Sequence, residues 1–170
     1  MAVLGACAPA RDWRELRLPG TELMAQLPCR PARFERQVVV AGAPLRLYML
    51  SCEAAGVTYG VASADVGDPA RVDPVLDALL HGAEAAIRAD VPATRPETLA
   101  GTTPFRGNLA ARLHGVRPDG RAVEESVRVF GRGTRVFQLS AIGRSLPDAA
   151  VRPFEDGVRF DLIRPVPDPN

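Results

Sequence analysis

Two turns within one stretch constrain the fold of this chain more than any other feature. Between residues 105 and 142, Arg117-Pro118-Asp119-Gly120 and Gly131-Arg132-Gly133 separate three runs in which apolar residues recur at every second position. Such alternation marks half-buried strands. The first tetrapeptide suits a type I turn with Gly120 as the left-handed residue of a three-residue loop. It pairs Arg117 with Arg121, which sets Leu113 opposite Glu125, Ala111 opposite Val127 and Leu109 opposite Val129. Taking Gly131-Arg132-Gly133 as the second loop pairs Val127 with Phe137 and Val123 with Ala141. Both readings gather apolar residues on one face, so a three-stranded antiparallel meander in this register is expected. Glu125 falls among those apolar neighbours. It is either a rim position, the partner of an arginine, or a buried functional carboxylate, and it is the weak candidate site residue of the chain.

Other elements follow from local signals. Two short strands are expected over 13–28, around the turn Leu18-Pro19-Gly20-Thr21. Arg33 to Val40 and Leu45 to Cys52 read as a hairpin with Gly42-Ala43 as its loop, so that Val40 faces Leu45 and Cys52 faces Arg33. Val57 to Val66 is a further strand. One strong helix follows, with Asp73 as N-cap and Pro74 as its first residue. Val72, Val75, Leu76, Leu79, Ala83 and Ile87 form its apolar stripe, and Val91-Pro92 ends it. Ala78, Gly82, Ala85 and Ala89 make a small-residue flank suited to close approach to a sheet. Pro147 opens a short helix, and Val158 to Leu162 reads as a closing strand. The expected fold class is α+β: mostly antiparallel β-sheet flanked by one long helix and one or more short ones. Domain organisation is expected to be a tether over 1–12, one globular domain over 13–164, and a flexible, Pro-rich tail over 165–170.

The N-terminal Leu4-Gly5-Ala6-Cys7 resembles the lipobox of bacterial lipoproteins, in which the cysteine receives lipid and becomes the mature N-terminus. Small residues are needed just before the cut because the signal peptidase cleft admits only short side chains. The resemblance implies lipid attachment at Cys7, and Ala8-Pro9-Ala10-Arg11-Asp12 reads as the tether beyond it. Only Met1-Ala2-Val3 precede the motif, whereas a working signal carries a basic segment and an apolar one. Either the start is placed too far downstream or the chain has been trimmed. The rival reading is chance in an Ala/Gly-rich chain. With Cys7 lipidated, Cys29 and Cys52 remain as an even pair, for which a disulfide is expected in an oxidising compartment. In the expected register Cys29 lies about four residues, or ~13 Å of extended chain, beyond its ideal position. Pro28 and Pro31 bracket it and bend the chain back. A redox or metal thiol pair is the weaker alternative, since there is no C-x-x-C.

Charge and motif content narrow the function classes. The net charge is +1, with 21 basic residues, all arginine, interleaved among 20 acids. There is no basic stripe of the kind that tracks a phosphate backbone, so no nucleic-acid partner is expected. No dinucleotide, P-loop or nucleophile-elbow motif occurs. His81 and Glu84 form a surface His-x-x-Glu pair on the helix, but two ligands do not make a metal site. The derived register lines up His114, Glu124 and Ser140 across three strands, with Arg112, Ser126 and Gln138 in the next row. A triad needs histidine in the middle, in contact with both nucleophile and acid, and here glutamate is central. This face is therefore expected to be structural surface, solvated or covered by a helix. Neither catalytic residues, nor a metal, nor a cofactor are assigned.

The order of elements (strand pairs, one long helix, a meander, a short helix and a last apolar strand) resembles the PsbP-like α/β/α sandwich. The stretch from Leu27-Pro28-Cys29 to Gly60 is similar to small bacterial envelope lipoproteins of unassigned role. The resemblance implies a non-catalytic protein attached to the membrane through its N-terminal lipid, with an unidentified envelope protein or small ligand as partner. It places the chain at the outer membrane, facing the periplasm. The alternatives are an enzyme with a site near Glu125 or on the His114 face, and a cytosolic PsbP-like interaction domain. Fold alone does not decide among these.

Overall fold

The computed structural model describes residues 12–90 and 93–162. Five strands come first: β1 (Arg14–Arg17), β2 (Leu23–Leu27), β3 (Ala32–Val40), β4 (Ala43–Ala54) and β5 (Val57–Asp65). A 3-10 turn over Pro69–Arg71 leads into α1 (Val72–Ala86). Then come β6 (Thr94–Pro96), β7 (Leu109–Val116), β8 (Ala122–Arg132), β9 (Arg135–Gly143), α2 (Asp148–Asp156) and β10 (Arg159–Phe160). The strands form a seven-stranded sheet of order β3-β4-β5-β9-β8-β7-β6 and a small sheet of order β1-β2-β10. Every ladder is antiparallel. The fold is α+β, mostly antiparallel sheet with helices against it, as the sequence leads one to expect.

Alternation along the strands feeds two cores, one on each face of the large sheet. Leu50, Tyr59, Val61, Phe130, Phe137 and Leu139 turn toward the small sheet and α2, where Leu23, Leu27, Val151 and Phe154 meet them. Leu113, Val123, Val127, Val129 and Val136 turn the other way, toward Val72, Val75, Leu76, Leu80 and Ala83 of α1. The molecule is thus layered as α1, large sheet, then small sheet with α2. Burial of aromatic and branched side chains on both faces supplies the driving force, at about 25 cal/mol per Å² of apolar surface.

The first turn of the meander pairs as expected: Leu113 lies opposite Glu125, Ala111 opposite Val127 and Leu109 opposite Val129. The second does not. Strand β8 runs on through Gly131 to Arg132, which pairs with Arg135, so the loop is Gly133-Thr134. Val127 therefore faces Ser140 rather than Phe137, and Glu124 faces Gly143. The register moves by an odd number of residues, so every β9 side chain changes face relative to expectation. Phe137 and Leu139 thereby enter the small-sheet core and Ser140 leaves the His114 face. Gly133, at φ +57°, takes the left-handed turn position, and Gly131, expected in the loop, lies within the strand.

The β3–β4 hairpin is also tighter than expected. Its loop is Ala41-Gly42, at φ +48° and +76°, and Val40 pairs with Ala43. Two positive φ angles match the twist of the flanking strands, as in a type I′ turn. Pro44 then sits inside β4 without cost, because the β4–β5 ladder starts only at Tyr48. The helix differs at both ends. Asp68 caps the 3-10 turn by accepting from the Ala70 N–H at 2.9 Å, and α1 follows directly with no side-chain cap. Asp73 instead accepts from the Gly107 N–H at 2.7 Å, and the helix ends at Ala86, before the Val91-Pro92 stop, which lies outside the described residues. Leu80 is fully inside the stripe while Leu79 is only half-buried. Gly82 and Ala85 of the expected small-residue flank are exposed. Close approach is provided from the sheet side, by Gly107, Gly115 and Gly131 beneath Leu76, Ile87 and Val72. The closing strand is reduced to Arg159–Phe160, paired with β2.

Candidate functional site

Glu125 sits in the middle of β8, two strands from the nearer edge, with its side chain on the α1 side of the sheet. It is not at a rim and has no ion-pair partner among the described residues: it is 5% exposed, beside Val123 and Val127 on its own strand and Leu113 and Ile142 across the ladders. Its polar partner is Ser140, whose hydroxyl donates to Oε1 at 2.6 Å. The corrected register makes this contact, since Ser140 faces Val127, one position along on the same face. Gly60 lies opposite Ser140 on β5 and adds no side chain there. Burial raises the carboxyl pKa above the ordinary glutamate range, and the Ser140 hydrogen bond and the Arg117 charge only partly offset it.

A carboxyl in this state can hold a proton that an exposed glutamate would release. His114, however, is exposed on the opposite face of the sheet, paired with Glu124, whose carboxylate accepts from the Leu146 N–H at 3.0 Å. The Ser–Glu pair and the histidine are therefore separated by the sheet, and the His114-Glu124-Ser140 row does not form. Arg112 does face Ser126, but Ser126 faces Ala141, so Gln138 is not in that row. Much of this face is covered by α2: Ser126 donates to the Glu155 carboxylate and Arg112 lies 3.9 Å from Asp148.

Sequence reasoning missed a second polar cluster, on that same face. Glu97, just after β6, and Arg128 of β8 are both buried and make a two-point ion pair. Arg128 Nη2 donates to Glu97 Oε1 at 2.8 Å, and its Nε donates to Oε2. Glu97 Oε1 also accepts from the Thr98 and Leu99 N–H groups at 2.8 and 3.0 Å. Arg128 Nη1 donates to the Glu155 carbonyl at 2.7 Å, which ties the end of α2 to the same point. Burial works against ionisation of Glu97, but Arg128 and the two backbone donors outweigh it and hold the pKa below the ordinary range. The available signal was Glu124, Ser126 and Arg128 alternating with Val123, Glu125, Val127 and Val129, three polar residues on one strand face. That pattern fits a solvated face and a helix-covered one alike, and only the placement of α2 decides between them.

The cysteines do come together. Cys29, after β2, and Cys52 of β4 form a disulfide with their Cα atoms 6.0 Å apart. The corrected hairpin register explains the fit, because it places Cys52 two residues nearer to Cys29 than the expected one. The bond joins the small-sheet segment to the large sheet, in a spacing ordinary for a bridged pair. Cys7, the tether as far as Arg11, and the tail over 165–170 lie outside the described residues; Asp12, at the end of the expected tether, donates its N–H to the Pro28 carbonyl at 2.8 Å. His81 Nδ1 is 2.7 Å from the Asp77 carbonyl, and Glu84 adds no third ligand. Among the described residues no three His, Cys, Asp or Glu side chains converge to hold a metal ion, and no helix is long and apolar enough to cross a membrane. No protein-family model and no curated protein matches the chain.

Proposed function

We propose that this chain is the lipid-anchored, non-catalytic domain of a bacterial envelope protein, held through Cys7 at the outer membrane and serving as a binding or assembly partner in the periplasm. The observation that carries the reading is the Cys29–Cys52 disulfide, because such bonds persist in oxidising compartments and are rare in the cytosol. Leu4-Gly5-Ala6-Cys7 supports it, since an acylated cysteine with more than one chain gives the stable attachment that a single chain does not. The likeness of the element order to the PsbP-like sandwich supports a binding role. The test is expression from the upstream codons in a bacterial host, followed by mass spectrometry of the membrane fraction. Cys7 is expected to carry lipid, and Cys29 and Cys52 are expected to resist thiol labelling after unfolding without reductant. An unmodified N-terminus in the soluble fraction with two free thiols would instead support a cytosolic interaction domain.

One observation favours a second reading. Glu125, buried beside Ser140 with its pKa raised by that burial, is the kind of perturbed carboxyl that active sites contain. Glu125→Gln keeps the shape and the hydrogen bond. If it folds normally yet abolishes the cellular role, an enzyme centred on β8 becomes the leading reading.

A further inference from the structure

Among the described residues, strand β3 is the long open edge. It pairs with β4 alone, over nine residues in unbroken register from Ala32 to Val40, with neither a bulge nor a proline. The other edges are short: β6 has three residues ending at Pro96, β1 has four and β10 two. Half of the backbone N–H and C=O groups of an edge strand point outward, and this is the template to which another extended chain adds. Two of the four exposed large apolar side chains among the described residues, Phe34 at 40% and Val39 at 76%, lie on this one strand.

The charge on the edge selects what can pair with it. Positions 30 to 46 carry four arginines and a single acid, Glu35, in a chain of net charge +1. Arg46 takes Glu35, at 3.1 Å, which leaves Arg33 and Arg36 without an acidic partner among the described residues. Alternation puts Phe34, Arg36 and Val38 on the α1 side and Arg33 on the other, where Pro19, Tyr48 and Leu50 border an apolar hollow of about 250 Å³. A second copy matches this surface less fully than an acidic segment does, because it cannot give both arginines an acid. Two-fold antiparallel pairing centred on Arg36 opposes guanidinium to guanidinium. Centred on Glu35 or Gln37, it sets neither Arg33 nor Arg36 opposite an acid; centred on Phe34 it sets Arg33 opposite Glu35, but that acid is already held by Arg46, and Arg36 then meets Ala32.

We propose that β3 is a docking edge for an extended, acidic segment of another protein, added as an antiparallel strand to the seven-stranded sheet. The matching segment carries an acid opposite Arg36, apolar residues two positions to either side, opposite Val38 and Phe34, and a further acid opposite Arg33. Backbone bonds supply affinity in this mode, and alternate side chains supply specificity. The inference deepens the binding-domain reading and is independent of where the protein resides.

The test uses purified full chain and three synthetic peptides of valine and threonine: one with glutamates at the two acid positions, one with lysines there, and the glutamate peptide N-methylated on alternate amides. Fluorescence anisotropy is expected to show saturable binding of the glutamate peptide alone. Hydrogen exchange is expected to slow at the outward amides of Ala32–Val40. In the double variant Arg33→Glu, Arg36→Glu, whose side chains are exposed, that peptide should weaken about tenfold and the lysine peptide should gain. Equal binding of all three peptides, binding of none, or protection away from β3 would overturn the proposal. So would concentration-dependent dimerisation that protects β3 without peptide, which assigns the edge to a second copy. An unmodified Cys7 in the membrane experiment leaves this assay untouched, so the two readings fail separately.

Discussion

Glu125 and Glu97 are two buried acids whose surroundings push them in opposite directions. Glu125 has a single hydroxyl donor, and burial raises its pKa. A raised folded-state value stabilises the native protein below the unfolded pKa, and that contribution is lost as pH rises through the folded value. Glu97 is lowered, so its contribution is present above the unfolded pKa and is lost as pH falls through the folded one. Glu125→Gln isolates the first effect. Urea unfolding at about pH 4 and about pH 7 should show the variant gaining on the parent protein as pH rises, with the Ser140 contact retained. A parent and variant that keep a constant difference across this range would contradict the assignment. Arg128→Ala leaves Glu97 buried and unpaired and should cost about 3–5 kcal/mol, whereas Glu97→Leu with Arg128→Met should recover most of it. Both appear directly in denaturant midpoints at unchanged slope.

At the scale of elements, the contact of α1 with the sheet depends on glycines in the sheet. A Cβ at Gly115 would lie 2.2 Å from the Ile87 carbonyl oxygen, and one at Gly131 would lie 2.8 Å from Val72 Cγ1. Backbone at the end of a helix cannot give way as a flexible side chain would, so Gly115→Ala should cost about 1–3 kcal/mol, the range for overpacking. Gly82 is the control. It is on the exposed side of the same helix with open space beyond, and Gly82→Ala should stabilise by about 0.5–1 kcal/mol. Thermal unfolding of the two variants should move in opposite directions. The sequence marked the existence of α1 and its apolar stripe but assigned the close-packing role to the wrong glycine. Helical periodicity locates the buried face of one element; which small residue is contacted depends on where the partner strand ends.

For the whole molecule, the Cys29–Cys52 bond fastens the small-sheet segment to the large sheet over a sequence separation of 23 residues. Replacing both cysteines with serine should lower unfolding stability by about 3 kcal/mol, the chain-entropy value for a loop of this size, read from denaturant unfolding under non-reducing conditions. The α+β class, the order of strands and helices apart from β6, the first meander register and the cysteine pair were all legible from residues alone. Each rests on local signals: alternation, turn residues, capping prolines and an even count of thiols. The second meander turn was not, because Gly131 and Gly133 both permit a turn and choosing between them is a long-range question. Ending β8 at Arg132 allows Phe137 and Leu139 to enter the small-sheet core with Phe130 and Phe160, and no local rule contains that gain. The same choice carried Ser140 to Glu125 and away from His114, and α2 covers a polar row for which alternation alone had left solvent and a helix as equal choices. Sequence thus determined most of the segments that are strand or helix. Tertiary packing decided which face each side chain meets, because a shift of one residue inverts a strand and only the opposing layer distinguishes the two outcomes.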